Sequence, residues 1–245
     1  MKISSVKALP IVAIVAVLGW PSAHAGIQLS STRVVLEEGK RSAAVYAQNK
    51  DEPVVVQAWI EGVGEKMETP FFITPPLSRF DADTERSLTI TRVGNDAPTD
   101  RESYYWINVL EIPQKAENTA NSLAFATRTR IKLFYRPTAI LKMPRGPEQL
   151  QWTISRDGNK CTLNIANASA FTVNFSKIDV SGQKQEVGRG AVALPLTSTP
   201  VALAACPAAG ATFTPQIVND YGAFDTWPVV TPQVATEVSS EARPR

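Results

Sequence analysis

Leu123-Ala124-Phe125-Ala126-Thr127-Arg128-Thr129-Arg130-Ile131-Lys132-Leu133-Phe134-Tyr135-Arg136 begins with alternating large and small residues and closes in a cluster of positive charge. Successive side chains of a strand point to opposite faces, so this spacing predicts one long β-strand over residues 122–135. The same period of two runs back to Ile27, broken about every eight to twelve positions by turn residues. Strands are predicted at 32–36, 43–48, 54–61, 71–74, 87–93 and 104–112. The separators are Glu38-Gly39, Asn49-Lys50-Asp51, Gly62-Val63-Gly64, Asp81-Ala82-Asp83, Asn95-Asp96-Ala97-Pro98 and residues 113–121. Helix periodicity is sustained nowhere. Seven strands in about 110 residues read as an immunoglobulin-like sandwich.

A second series follows a Pro-rich connector, residues 137–147. Trp152-x-Ile154, a turn at Asp157-Gly158, Cys161-x-Leu163-x-Ile165 and Val173-x-Phe175 have the pattern of strands with one wet face. Residues 191–203 and 212–218 continue the alternation. The expected fold class is all-β, with two immunoglobulin-like sandwich domains at 26–143 and 144–245. The polar, Pro-containing residues 231–245 are expected to be disordered or dispensable.

Residues 1–25 are expected to be a signal peptide. Lys2 and Lys7 form a basic start, Ala8 to Trp20 is an apolar run of thirteen, and Ala23-His24-Ala25 is a small-x-small cleavage pattern. The alternative, a membrane anchor, is disfavoured because the run is short and a polar chain follows at once. The sequence has 25 Lys plus Arg against 23 Asp plus Glu. Lys2 and Lys7 leave with the signal, so the mature chain is balanced and has no global attraction for nucleic acid or an anionic membrane. His24 is the sole histidine, and its removal closes off Ser-His-Asp, Cys-His and His-ligated zinc chemistry. Cys161 and Cys206, in an exported chain and without C-x-x-C spacing, are expected to form a structural disulfide.

Enzyme motifs are not supported. Gly62-Val63-Gly64-Glu65-Lys66 lacks the later glycine of a phosphate loop and reads as a hairpin turn. Glu37-Glu38 and Asp81-x-Asp83 read as solvated turn carboxylates with no partner for acid or base work. Asn167-Ala168-Ser169 fits a glycan sequon. No catalytic residue, cofactor or metal ligand is assigned.

The long strand allows two readings. Leu123 and Phe125 face their own core, or the strand lies at a sheet edge, where unpaired N–H and C=O groups invite another chain. In the second reading the apolar rungs close on a positive anchor, a landing strip for an extended peptide that ends in a carboxylate. Arg33, on the first strand, and Lys132 could meet in space and grip that carboxylate by charge-assisted hydrogen bonds.

Thr32-Arg33-Val34-Val35, Gln57-Ala58-Trp59-Ile60-Glu61, Phe72-Ile73-Thr74-Pro75-Pro76-Leu77-Ser78-Arg79, Asp100-Arg101-Glu102-Ser103-Tyr104-Tyr105-Trp106-Ile107-Asn108, Arg130-Ile131-Lys132-Leu133-Phe134-Tyr135-Arg136-Pro137 and Asn219-Asp220-Tyr221-Gly222 occur in that order. Together they resemble the periplasmic pilus-assembly chaperones of the chaperone-usher pathway. The resemblance runs through nearly all of the mature chain and is closer in the first lobe than in the second.

That resemblance implies two immunoglobulin-like domains arranged as a boomerang, located in the periplasm. It implies binding of fimbrial (pilin) subunits by donor-strand complementation and delivery to an outer-membrane usher, with no enzyme activity and no cofactor. Arg33 and Lys132 fall on the pair that anchors the subunit's C-terminal carboxylate. Leu123, Phe125 and Thr127 fall on the alternating donor positions, and Thr127 departs from the large aliphatic residue usual there. Glu102, Arg136 and Asp220 match an ion triad that ties the two domains together. The short loop 113–121 resembles the short-loop subgroup. Self-association of the free chain stays open, and stable membrane insertion is not expected. The rival class is a secreted two-domain adhesin or fibre subunit, which would lack a strand, whereas the strand count here reads as complete.

Overall fold

The protein is described by a computed structural model covering residues 26–113, 125–182 and 186–234. The expected signal peptide, residues 1–25, and the donor position Leu123 lie outside the described residues. The first lobe comprises β1 (Ile27–Leu29), β2 (Arg33–Glu37), β3 (Ser42–Asn49), β4 (Val54–Glu61), β5 (Phe71–Thr74), β6 (Leu77–Phe80), β7 (Glu85–Arg92), β8 (Ser103–Pro113) and β9 (Thr127–Arg136). Among the described residues these form two facing sheets, ordered β1-β3-β7-β5 and β2-β9-β8-β4-β6. The period of two puts Val54, Val56, Ala58 and Ile60 of β4, Leu88 and Ile90 of β7, and Ile131, Leu133 and Tyr135 of β9 into one shared core. Each large apolar side chain fully withdrawn there, such as Phe80 or Leu88, contributes about 2 kcal/mol.

The second lobe comprises β10 (Leu150–Asp157), β11 (Lys160–Asn167), β12 (Val173–Val180), β13 (Glu186–Val187), β14 (Val192–Ala193), β15 (Thr197–Leu203), β16 (Phe213–Val218), β17 (Phe224–Thr226) and β18 (Gln233–Val234). Its sheets run β15-β11-β10-β18 and β13-β12-β16-β17, with β14 also on β12. Trp152 packs edge-on against Phe175, ring centroids 5.7 Å apart, in a core with Leu163, Ile165, Ile178 and Phe213. Cys161 on β11 is bridged to Cys206, which follows β15. The two lobes are the all-β pair of sandwiches expected from the alternation.

Four expectations are corrected. Residues 62–66 form a closed turn, Gly62 N–H donating to Lys66 O at 2.7 Å, with Gly64 and Glu65 at positive φ. Yet β4 and β5 lie in different sheets, so the turn carries the chain across the sandwich and is not a hairpin. The long strand starts at Thr127, leaving Phe125 and Ala126 outside it. Its last rung on β8 is Glu111↔Thr127, and two residues further β8 reaches Pro113, which has no N–H for the ladder. Residues 191–203 are not one strand: Pro195 and Leu196, at φ +57°, separate β14 from β15. Residues 231–234 are not a loose tail, because β18 adds in parallel to β10, with Thr153↔Gln233 and Ile154↔Val234 in register. Asn167 of the sequon is 2% exposed and donates to Phe171 O and Ala193 O, so it braces a loop from inside.

Candidate functional site

The site is set by one parallel pairing. β2 runs alongside β9 with Arg33↔Lys132 through Glu37↔Arg136 in register, while β8 pairs with β9 from Thr127 to Tyr135. The C-terminal half of β9 is therefore enclosed by strands on both sides. Among the described residues its N-terminal half, 127–131, has β8 alone, and its other edge of backbone groups is open. Phe125, just before that half, is 73% exposed, and Thr127 is also exposed. They share the parity of Ile131, Leu133 and Tyr135, which are buried in the lobe's own core.

At the closed end the register puts Arg33 and Lys132 on neighbouring strands facing the second lobe. Arg33 Nη1 donates to Val218 O at 2.9 Å, and its guanidinium lies 5.7 Å from the Phe134 ring centroid. Lys132 Nζ donates to Asn174 Oδ1 and sits 5.3 and 5.5 Å from the rings of Tyr104 and Trp106. Neither cation forms an ion pair with a carboxylate among the described residues. Burial, and next the neighbouring Arg33 charge, push the Lys132 ammonium down to about 8. Burial also lowers the Arg33 guanidinium, against the opposing charges of Asp220 and Glu102. Arg33 Nε is buried without a hydrogen-bond partner, a state that costs about 1–3 kcal/mol. Two crowded cations and a spare buried donor form an electropositive spot, and a neighbouring anion would relieve all three. A cavity of about 370 Å³ adjoins them, lined by Arg145, Asn174, Val218, Asp220, Tyr221 and Trp227 among others.

The lobes are joined below this pair. Arg136, the last residue of β9, donates from Nε to Glu102 Oε2 at 2.5 Å and from both Nη atoms to Asp220 at 2.7 Å. Glu102 also accepts the Thr172 N–H at 3.0 Å. Arg145 of the connector grips the same Asp220 through two bonds of 2.8 and 2.7 Å. Burial alone would raise Asp220, but the hydrogen bonds from Arg145 and Arg136 outweigh it and hold the carboxyl well below the usual range. Both guanidiniums lie over Phe171, which packs with Ala170 and the connector's Ile140 in a small apolar cluster.

The structure thus brings together Arg33 with Lys132, and Glu102 with Arg136 and Asp220. Phe125 and Thr127 lie on the open approach to the first pair. Sequence reasoning missed Arg145 and Asn174. Arg145 is one of several charges in and beside the Pro-rich connector, and Asn174 lies inside an ordinary strand pattern, so only the docking of the lobes reveals either.

Comparison with known proteins agrees with this architecture. Residues 26–141 match the family model described as pili and flagellar-assembly chaperone, PapD N-terminal domain. Residues 145–227 match that of the pili assembly chaperone PapD, C-terminal domain. The probable fimbrial chaperone LpfB of Escherichia coli O157:H7 is 37% identical over 166 residues, 66% of this chain and 70% of LpfB. The probable fimbrial chaperone SfmC of Escherichia coli K12 is 36% identical over 209 residues, 82% of this chain and 87% of SfmC. The crystal structure of the YadV chaperone superposes with a TM-score of 0.71 at 31% identity, covering 82% of this chain and 98% of YadV, and YadV is a probable fimbrial chaperone of Escherichia coli K12. With both family models matched in chain order and spanning most of its length, this chain belongs to the PapD-like family of pilus-assembly chaperones.

Proposed function

We propose that the protein is a periplasmic chaperone that captures fimbrial subunits by donor-strand complementation, keeps them from aggregating and passes them to an outer-membrane usher. In this reading residues 26–143 hold the subunit and residues 144–245 complete the cleft, and the few residues at 113–121 of the sequence favour the short-loop subgroup. The observation that carries it is the half-open β9, whose edge, unpaired among the described residues, leads into Arg33 and Lys132. A subunit lacking a strand exposes a trench of core side chains between two unpaired edges. The open half of β9 supplies main-chain hydrogen bonds to those edges, and Leu123, Phe125 and Thr127 enter the trench at every second residue. Arg33 and Lys132 fix the register by holding the subunit's terminal carboxylate.

Co-expression with a fimbrial subunit tests the anchor. Arg33→Ala and Lys132→Ala are each expected to leave far-ultraviolet circular dichroism unchanged while abolishing recovery of a soluble one-to-one complex. Retained complexes would contradict the anchoring role.

Thr127 offers a smaller and more polar rung than an aliphatic residue would. Thr127→Leu adds apolar surface worth about 1 kcal/mol in the complex, so transfer of the subunit to the usher should slow by about five- to ten-fold. A transfer rate equal to wild type would show that this position does not enter the groove.

A further inference from the structure

The outer face of the sheet β2-β9-β8-β4-β6 carries a polar cluster that the carboxylate anchor does not use. At its centre is Glu61, the last residue of β4, 5% exposed. It accepts Trp59 Nε1 at 2.7 Å, Arg128 Nη2 at 2.8 and 2.7 Å on its two oxygens, and Arg130 Nη2 at 3.2 Å. Arg128 also donates from Nε and Nη2 to Asn108 Oδ1 at 2.9 and 2.6 Å, and Asn108 is fully buried. The guanidinium of Arg128 lies 5.1 Å from the Trp59 ring centroid, and that of Arg130 4.8 Å from Trp106. Burial would raise the Glu61 carboxyl, but the Trp59 and Arg128 contacts outweigh it and keep it lowered and charged.

The placement of these two arginines is informative. Arg128 and Arg130 belong to the half of β9 that has β8 as its sole strand partner among the described residues. Their side chains pass over β8 and end on β4, one strand further in. A strand paired on one side frays readily, whereas a donor already held extended loses less conformational entropy when its partner adds. We propose that Glu61 is a positioning residue for subunit capture: through Arg128 and Arg130 it ties down the open half of β9 and holds it as a ready-made strand. The tie sits on the sheet's face, so it leaves the edge free for the incoming chain.

This inference rests on the donor-strand reading for its consequence but not for its mechanism, and the experiment separates the two. Hydrogen exchange is measured on the free, full-length mature protein, and association with a purified fimbrial subunit by stopped-flow fluorescence. Glu61→Gln should speed exchange of the β8-bonded amides at 127–131 by about ten-fold, while 132–136, covered by β2, stay at wild-type rates. Subunit association should slow about three-fold or more. Arg128→Met, which keeps the stem over Trp59 and drops the bonds, should act the same way and guards against a folding defect in the Glu61 variant. Unchanged exchange at 127–131 in both variants overturns the tie, and faster exchange with undiminished association overturns the positioning role. If wild-type protein captures no subunit at all, it is the proposed function that fails, and the exchange result alone decides whether Glu61 orders the strand.

Discussion

Replacing Arg136 by alanine is expected to lower the stability of the joined lobes by about 3–5 kcal/mol, the range for removing one partner from a buried ion pair. The loss falls mainly on Glu102. Its side chain is 1% exposed, and without Arg136 it keeps, among the described residues, the Thr172 N–H at 3.0 Å. Asp220 fares better, because Arg145 still holds both its oxygens. Two further variants distinguish an orphaned charge from lost packing. Glu102→Gln, which removes the buried charge and leaves Arg136 paired with Asp220, should cost about 1–2 kcal/mol. Arg136→Met combined with Glu102→Gln should be less damaging than Arg136→Ala alone, since no uncompensated charge remains. Urea midpoints measured at pH 7 decide the matter. A loss below about 1 kcal/mol for Arg136→Ala would mean that water reaches Glu102 and that the junction is not closed.

The same junction sets an acid limit. Asp220 has a folded-state pKa depressed below the unfolded one, so its contribution is present in full above the ordinary aspartate value of about 3.9 and is lost as pH falls from there through the folded value. The gap between wild type and Arg136→Ala should accordingly narrow below about pH 4.

Much of this architecture was legible from alternation, and the exceptions have physical reasons. β4 and β5 have the predicted limits because each is bounded by turn residues and alternates cleanly: Val54, Val56, Ala58 and Ile60 inward, then Phe71 and Ile73. β1 escaped because three residues carry too little pattern. β6 escaped because Pro75-Pro76 reads as a breaker, whereas here it marks the point where the chain leaves the sheet of β5 for an edge beside β4. β18 escaped because two residues joined to β10 in parallel have no local signature, their partners lying far back in the chain.

The site was legible in part for a different reason. Arg33 attracts notice as a charge at the start of an apolar strand and Lys132 as part of the basic run of β9, but their adjacency depends on the parallel register of β2 with β9, which spacing within either strand does not encode. The same holds for Glu61. Its sequence motif suggests an ordinary strand end, and only the stacking of β4, β8 and β9 reveals that Arg128 and Arg130 converge on it across an intervening strand. Residues that work through contacts between strands or between lobes are silent in a one-dimensional pattern.

Opening the Cys161–Cys206 bridge is expected to remove about 4 kcal/mol from the second lobe and to leave the first nearly untouched. The two cysteines are 45 positions apart, and a closed loop of that size restricts the unfolded chain far more than the folded one. In the folded lobe the strands it spans are already in place, since Cys161↔Leu203 is a rung of the β11–β15 ladder and Cys206 is three residues further on. The bridge therefore adds few native contacts of its own. A Cys161→Ala, Cys206→Ala variant should keep its strand content and a native Trp152 environment at 25 °C, yet unfold its second lobe more than about 10 °C earlier, given roughly 4–8 °C per kcal/mol for a domain of this size. Heating followed by amide resonances separates the lobes: β10–β12 and β16 should exchange or melt early, while β4, β7 and β8 hold to the wild-type midpoint. A shift under about 2 °C would assign the bridge no role in lobe stability, and an equal fall in both lobes would mean that the Glu102–Arg136–Asp220–Arg145 junction, rather than each separate core, sets the unit that unfolds.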